Sequence, residues 1–579
     1  MLRSNNCGEL RINDLDSQVS LCGWVHHIRD LGKLLFIDLR DRYGTTQIYF
    51  DANNKPELYQ RAKQLGREYV IQVIGTVRER SNKNPKMPTG DIEIDVEELM
   101  VLNSSQIPPF TIEDDTDGSE EMRLQYRYLD LRRNVMKDTM IFRHKLNLSI
   151  RNFLSEQDFL EIETPFLIKS TPEGARDFIV PSRLNPGNFY ALPQSPQLLK
   201  QLLMFAGMDR YFQIVRCFRD EDFRADRQPE FTQLDCEMSF VKQEDILNLF
   251  ENMMKNLFKK LLDIDLPTFP RLTYKEAMET YGSDKPDLRF DMPIINLSDK
   301  LKGNGFKIFD ESEYIGGLLL ANQPSVSRKH IDKFTEWVKN PQVGGSGLAY
   351  IRYVDGQIKS SISQFFTNEF LQNVMVSLNA STNDILFIIS GNKDKSLKIL
   401  GDFRLYLAKE YNLIQKNIFK PLWVIDFPMF EWDEENKRFT SSHHPFTSPL
   451  EEDIDLLDTN PSIARSNAYD LVMNGAELGG GSIRIHDKNL QKKIFKLLNL
   501  TDQEAEDKFG FFLKALDYGA PPHGGIAFGI DRIVAVMLGL NSIRDVIAFP
   551  KNNMGKDLMM QAPAPVSEEQ LKELHIKIQ

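Results

Sequence analysis

The chain is poor in cysteine. Its four cysteines, Cys7, Cys22, Cys217 and Cys236, are scattered through 579 residues, with no CxxC pair and no histidine cluster beside them. That spacing argues against a disulfide framework and a structural zinc site, so reduced thiols and no zinc are expected. No apolar run approaches the roughly 20 residues that span a bilayer. The opening MLRSNNCGELRIND turns polar within a few residues and has no apolar signal core. The expectation is a cytoplasmic protein without a membrane segment. Internal repeats and low-complexity tracts are absent too. Nor is there an excess of positive charge: the net charge is −12, which speaks against indiscriminate coating of nucleic acid. The deficit is uneven, since residues 1–105 hold 14 Lys/Arg against 15 Asp/Glu. A selective contact on a local basic patch stays open.

What is present is an ordinary globular composition, 41% hydrophobic and 27% charged, in a chain too long for one core. Residues 1–105 read as five short strands, with alternation at Leu35–Ile37–Leu39 and Ile92–Ile94–Val96 and a helical stretch near Pro56–Leu65. That pattern suits a small closed β-barrel. The polar, acidic PPFTIEDDTDGSEE reads as a hinge, placed at residues 106–136. Phe142, Leu146, Ile150, Phe153 and Leu154 then give one apolar helix face. Mixed α/β sequence fills residues 137–288 and returns over 421–555. Between them, residues 289–420 differ in character, with glycine pairs and many Lys and Asn, and are read as an inserted domain. Residues 556–579 look like a loose C-terminal extension.

The most telling stretch is IVRCFRDEDFRADRQPEFTQLDCEMSF, residues 214–240. Read with a period of two, its second arm puts Thr232, Leu234, Cys236, Met238 and Phe240 on one face and Phe231, Gln233, Asp235, Glu237 and Ser239 on the other. Arg219 and Glu221 share a face on the first arm. A hairpin with a solvated, ion-paired outer face explains this, and so does a binding surface for a cation and an anion side by side. Three further segments each admit a plain reading as well. GGIAFGIDRIVAVMLGL sets Gly529 before an apolar helix with Arg532 in its first turn, which suits an anion. AELGGGSIRIHD places Glu477 before three glycines and turns Arg484 away from the core. LPQSPQLLKQLLM begins a helix with Ser195 as cap and Pro196 in the first turn. There Gln197, Lys200 and Gln201 lie opposite the leucines, usually a sign of a solvated face.

Together these segments cease to be independent. FRDE…RQPEFTQLD, GGGSIR and GIDR resemble motifs two and three of the class II aminoacyl-tRNA synthetases, and FLSEQDFLEIETPFL resembles their dimer-forming motif one. QSPQLLKQ, TPEGARDF and the barrel narrow the resemblance to the bacterial aspartyl type. It covers nearly the whole chain. The fold implied is α+β and multidomain: an N-terminal five-stranded OB-fold barrel for the anticodon, an antiparallel-sheet catalytic domain and an inserted α+β domain.

The resemblance implies activation of L-aspartate with ATP and transfer to tRNA(Asp), with tRNA(Asn) as second acceptor left open. It also implies Mg²⁺ and a homodimer through motif one. Arg219, Glu477 and Arg532 are the implied catalytic residues. ATP would be met by Arg219, Asp220, Glu221, Gln228, Glu477, Gly529, Ile530, Asp531 and Arg532. Asp470 and Glu477 would hold magnesium. Lys200 and Arg484 would take the aspartate side chain, while Glu173, Gln233 and Asp235 would accept from its ammonium. Arg219, Gln197 and His443 complete that pocket, with the adjacent His444 competing for the last place. STPEGARDF would be a lid. In the barrel, Phe36 would stack on a base, Gln47 and Glu93 would read bases, and Arg29 would meet phosphate. Glu237 receives no role. An asparaginyl or lysyl enzyme is opposed by Arg484 with Lys200, and a non-catalytic paralogue by the presence of Arg219, Glu477 and Arg532.

Overall fold

The computed structural model describes residues 1–171, 175–221, 226–354 and 357–579. They form two compact units, residues 1–141 with 547–564 and residues 142–546 with 565–579.

In the first unit, β1 (Gln18–Asp30), β2 (Leu34–Arg40), β3 (Thr45–Asp51), β4 (Val70–Glu79) and β5 (Ile92–Asn103) close a barrel in the order β1-β2-β3-β5-β4. Helix α1 (Pro56–Ala62) lies between β3 and β4. Leu35, Ile37, Leu39, Ile92, Ile94 and Val96 fill the interior, so the alternating partners Phe36 and Asp38 face outward. The acidic stretch after the barrel folds into short helices around a buried charge cluster. Asp130 accepts from Arg133 at 2.7 Å and pairs with Arg127. Arg127 also donates to the carbonyls of Ile547 and Ala548, each at 2.9 Å. Residues 547–555 therefore pack with the N-terminal unit, whereas their sequence was assigned to the end of the catalytic domain.

The second unit carries, in chain order, α2 (Asn134–Ser155, which starts in the first unit), β6 (Leu160–Glu161), α3 (Gln197–Phe205), β7 (Arg210–Phe218), β8 (Glu230–Ser239), β9 (Arg271–Thr273) and α4 (Tyr274–Tyr281). The inserted residues follow, with β10 (Ile294–Asn296), β11 (Tyr314–Leu320), β12 (Ala349–Val354), β13 (Gln357–Ser360), β14 (Ile385–Gly391) and α5 (Lys393–Glu410). The chain returns through β15 (Pro421–Ile425), β16 (Ala468–Met473), β17 (Ala476–Ile483), β18 (His523–Gly529) and α6 (Ile530–Met537). Eight strands make one sheet in the order β9-β15-β16-β17-β18-β8-β7-β6, antiparallel except at its two edges. The inserted strands make a separate antiparallel sheet, β10-β11-β14-β12-β13. It has one apolar core around Phe334, Phe387 and Phe403 and another around Leu371, Leu386 and Ile388.

β8 is flanked by strands on both sides, and from Thr232 to Ser239 every residue is buried. One face packs apolar side chains into the core; the other carries Gln233, Asp235 and Glu237 into the interior. This decides between the two readings of the hairpin, because a solvated outer face would leave those groups in water. The same correction applies to α3, whose polar face (Gln197, Lys200, Gln201) is buried. The helix starts at Gln197, with Pro196 in the capping position.

Candidate active site

Above the polar face of β8 lies a cavity of about 590 Å³. Its floor is a group of four buried charges. Lys200 Nζ donates to Asp235 Oδ1 at 2.7 Å and lies 3.2 Å from Glu237 Oε2. Arg484 binds Glu237 in a fork, Nε to Oε1 at 2.9 Å and Nη2 to Oε2 at 3.2 Å. Arg484 Nη1 reaches Ser482 Oγ at 2.7 Å and touches His444 Nε2. Arg484 is thus buried, contrary to the exposed arginine its strand pattern allows. Burial alone would push the Glu237 carboxyl up, but Arg484 and Lys200 outweigh it and hold it below its ordinary range. Asp235 has weaker compensation; burial raises it to about 6 against the opposing Lys200 charge. Burial, then the Arg484 charge, drive His444 well down, so its ring is neutral and Nε2 can accept from Arg484.

Glu237 is the residue the sequence left without a role, and it is the counter-charge that aims both cations. The available signal was its place on the same strand face as Gln233 and Asp235. It also explains one glycine: a Cβ on Gly525 would lie 1.9 Å from Glu237 Oε2, so only glycine admits the carboxylate there.

A second part of the cavity is built from the first arm of the hairpin and α6. The Arg219 guanidinium lies 5.0 Å over the Phe231 ring, and its Nε has no hydrogen-bond partner among the described residues. Glu221 accepts from Arg227 at 2.6 Å, and Gln228 and Gln233 complete this wall. Gly529 precedes α6, and Arg532 in its first turn donates to the Glu477 carbonyl and lies 3.9 Å from Glu477 Oε2. The Asp531 carboxylate is turned into the protein, accepting from Thr232 N–H at 3.0 Å and pairing with Arg143 of α2. It joins three distant segments. Ile530 is buried in the core, and Asp220 sits outside the cavity lining, its carboxylate 3.8 Å from Arg176 Nε.

A third part is a carboxylate pair on the β16–β17 hairpin. Asp470 pairs in register with Gly480, and a Cβ there would sit 2.5 Å from Asp470 Oδ1 and 3.7 Å from Glu477 Oε1. The glycine leaves room between the two acids. The Asp470 charge, followed by burial, raises the Glu477 carboxyl despite Arg532 and Lys285 nearby. Two hard oxygen donors set this close suit a divalent cation such as Mg²⁺. His443 borders this pair, with Nε2 3.4 Å from Asp470 Oδ1. Burial opposes its charged form, but Asp470 and Glu477 prevail and raise its pKa. His443 thus belongs to the carboxylate pair and His444 to Arg484, and both line the cavity.

Buried polar groups are nearly always paired. Here Gln197 Nε2, Arg219 Nε, Asp235 Oδ2 and His443 Nδ1 have no partner among the described residues, and all four side chains line this one cavity. Their donors and acceptors describe a polar ligand with groups of both signs. Tyr274, Asp284 and Phe427 also line it, unannounced by any motif. Glu173 lies outside the described residues. Within the STPEGARDF segment, the Ala175 carbonyl accepts from Gln194 at 2.8 Å.

On the barrel, Arg29, Phe36 and Tyr49 form one row across β1, β2 and β3, and Asp38, Gln47 and Glu93 form the next. Gln47 Oε1 accepts from Arg29 at 2.8 Å and from Arg80 at 3.0 Å, while its Nε2 donates to Glu93 at 2.6 Å. The four barrel residues proposed from the sequence therefore share one outer face. Tyr49, 6.2 Å from the Phe36 ring, and Arg80 are additions to it.

One cavity beside this sheet thus gathers a cation pair, a carboxylate pair and an arginine at a helix start. The chain belongs to the family tRNA synthetases class II (D, K and N), which it matches over residues 119–553, and residues 19–102 match the OB-fold nucleic acid binding domain. More particularly, it is 57% identical to aspartate–tRNA ligase of Porphyromonas gingivalis, across 100% of this chain and 99% of that one. It is 54% identical to aspartate–tRNA ligase of Flavobacterium psychrophilum, across the whole of both. The fold matches asparaginyl-tRNA synthetase from Pyrococcus horikoshii complexed with asparaginyl-adenylate, with a TM-score of 0.61 at 20% identity over 95% of this chain and 98% of that one.

Proposed function

We propose that the chain is an aspartate–tRNA ligase. The observation that carries this reading is the buried pair Lys200 and Arg484, held by Glu237 at the cavity floor. A carboxylate side chain accepts charge-assisted hydrogen bonds there with both oxygens, whereas an asparagine amide offers one neutral acceptor oxygen and a lysine ammonium none. The α-ammonium is taken by Asp235, whose second oxygen is unpaired. Gln197 and Gln233 orient the same end.

The α-carboxylate of aspartate is ionised at neutral pH and needs no general base. Its oxygen bonds to the α-phosphorus of ATP, the bond to the β-phosphate oxygen breaks, and pyrophosphate leaves. Arg219 stabilises the added charge on the α-phosphate and aligns the carboxylate, with Phe231 and Glu221 beside the base. Arg532 and the start of α6 hold the terminal phosphates. Mg²⁺, when bound, would be held by Asp470 and Glu477 and would neutralise phosphate oxygens. In the second step the 3′-hydroxyl of the terminal adenosine attacks the aspartyl carbonyl, loses its proton and displaces AMP. The test is pyrophosphate exchange: it should depend on aspartate, and exchange supported by asparagine instead would overturn the reading.

The outer face of the barrel carries the anticodon in this reading, with an unstacked base on Phe36 and base edges on Gln47 and Glu93. Charging of purified tRNA(Asp) and tRNA(Asn) side by side determines whether the second is also an acceptor. The homodimer forms through α2 and the edge strand β6, where Leu148 and Leu160 are exposed; sedimentation should give twice the chain mass. No helix among the described residues is long and apolar enough to cross a membrane, and we place the enzyme in the cytoplasm, with its tRNA.

A further inference from the structure

The inserted domain is entered through the segment after α4 and left through residues 411–420, and both connections meet one turn of the catalytic sheet. Asn474 and Gly475 close the β16–β17 hairpin with φ of 56° and 81°, the left-handed pair such two-residue turns favour. On the exit side, Asn474 Oδ1 accepts from Lys420 N–H and its Nδ2 donates to the Ile418 carbonyl, both at 2.9 Å. On the entry side, Arg289 reaches the Asn474 carbonyl at 3.5 Å. The Asp287 side chain packs on Gly475, where an added Cβ would meet it at 3.3 Å. Asp287 and Arg289 are themselves paired at 2.7 Å.

The inserted domain grips its entry segment firmly. Arg404 of α5 is buried and donates to the carbonyls of Met292 at 2.8 Å and of Asp287 and Phe290 at 2.9 Å. Its guanidinium lies 3.9 Å over the Phe290 ring. Nearby, a Cβ on Gly401 would come within 2.5 Å of the Gly282 carbonyl oxygen, so α5 and the end of α4 touch backbone to backbone. An Asn-Gly turn forms without such bracing. What distinguishes this one is its position: Asp470 stands on one arm of the hairpin and Glu477 on the other, with an irregular register between Leu471 and Val472. A shift of the turn changes the separation of the two carboxylates.

We propose that the inserted domain is a positioning element for Asp470 and Glu477, acting through the Asn474–Gly475 turn. This rests on reading those two acids as the magnesium ligands. Asp284, on the same entry segment, lines the cavity itself, so the segment is tied to the site at a second point.

The test uses the full-length enzyme with Mn²⁺ as probe, followed by the electron-spin resonance of the free ion in the presence of ATP, together with pyrophosphate exchange. Asn474→Gly keeps a left-handed turn and removes both side-chain bonds. Its Mn²⁺ affinity should fall roughly fivefold, the KM for ATP should rise with it, and the KM for aspartate should stay. Arg404→Lys, made wholly within the inserted domain, should shift the same two constants in the same direction. Glu477→Gln is the reference. If it binds Mn²⁺ as wild type does, the magnesium reading falls. If it loses Mn²⁺ while Asn474→Gly and Arg404→Lys do not, only the coupling falls. Coupling is equally overturned if both KM values rise and kcat falls together with the melting temperature. Should Arg404→Lys fail to fold, Asn474→Gly decides alone.

Discussion

The barrel face and the cavity floor use the same device, alternate residues of neighbouring strands turning polar groups to one side, yet they reach opposite states. On the barrel, Gln47 is satisfied from within by Arg29, Arg80 and Glu93, and Phe36 lies half-exposed beside Tyr49. On the floor, β8 is covered on both sides, and Arg219 Nε, Asp235 Oδ2, Gln197 Nε2 and His443 Nδ1 are left unpaired. The contrast lies in the pairing, since Gln47 is itself buried and only Arg80 Nη1 beside it lacks a partner among the described residues. Groups that satisfy one another in this way need no ligand to complete them. Unpaired polar atoms in a buried pocket are costly, so those of the floor record the ligand it was shaped around.

Four experiments press on that contrast, beginning with the largest effect. Arg219→Ala should lower adenylate formation about 10³-fold, the cost of losing a donor aimed at developing charge; near-normal pyrophosphate exchange would remove it from the mechanism. Glu237→Ala leaves two buried cations without their shared acid. It should raise the KM for aspartate about a hundredfold and cost on the order of 3 kcal/mol in stability, measured by exchange kinetics and denaturant unfolding. If the KM moves and stability does not, Glu237 is a ligand contact and not a clamp.

The third experiment is a pH profile. Because the folded Asp235 carboxyl sits at about 6, above its ordinary 3.8, it is neutral below that value and cannot balance the substrate ammonium. The kcat/KM for aspartate should fall as pH drops through about 6, approaching tenfold per pH unit, and Asp235→Asn should flatten the slope. The stability sign is opposite: ionising this raised carboxyl disfavours the folded state, so the free enzyme loses stability as pH rises from 3.8 through about 6. Finally, Phe36→Ala should lower kcat/KM for tRNA about tenfold, from lost stacking, and leave exchange unchanged. A fall in both would mean the barrel face does not act separately.

Much of this was legible in the sequence, for identifiable reasons. The barrel strands are half-buried, so their period of two shows directly. Arg219, Glu477, Arg484 and Arg532 stand in ordered motifs that survive as strings. What stayed hidden depends on tertiary cover. The polar face of α3 looks solvated until β8 is laid against it, and Arg484 looks exposed until Glu237 reaches it from another strand. Glu237 had no motif role because its partners are side chains from distant segments. Residues 547–555 carry no periodic pattern that ties them to either unit, and the contacts of Arg127 with the Ile547 and Ala548 carbonyls show where they pack.

Glu237 has one more consequence, in the heat and entropy of recognition. Lysine and arginine side chains have the most rotameric freedom to lose, and the clamp removes that freedom from Lys200 and Arg484 when the chain folds. An incoming aspartate therefore meets cations that need no ordering, which lowers the entropic cost of its association. Calorimetry of aspartate binding should show this as a smaller entropic penalty than in Glu237→Gln, where the two cations are freer to move. The ordering is done once, at folding, and every later encounter starts from it.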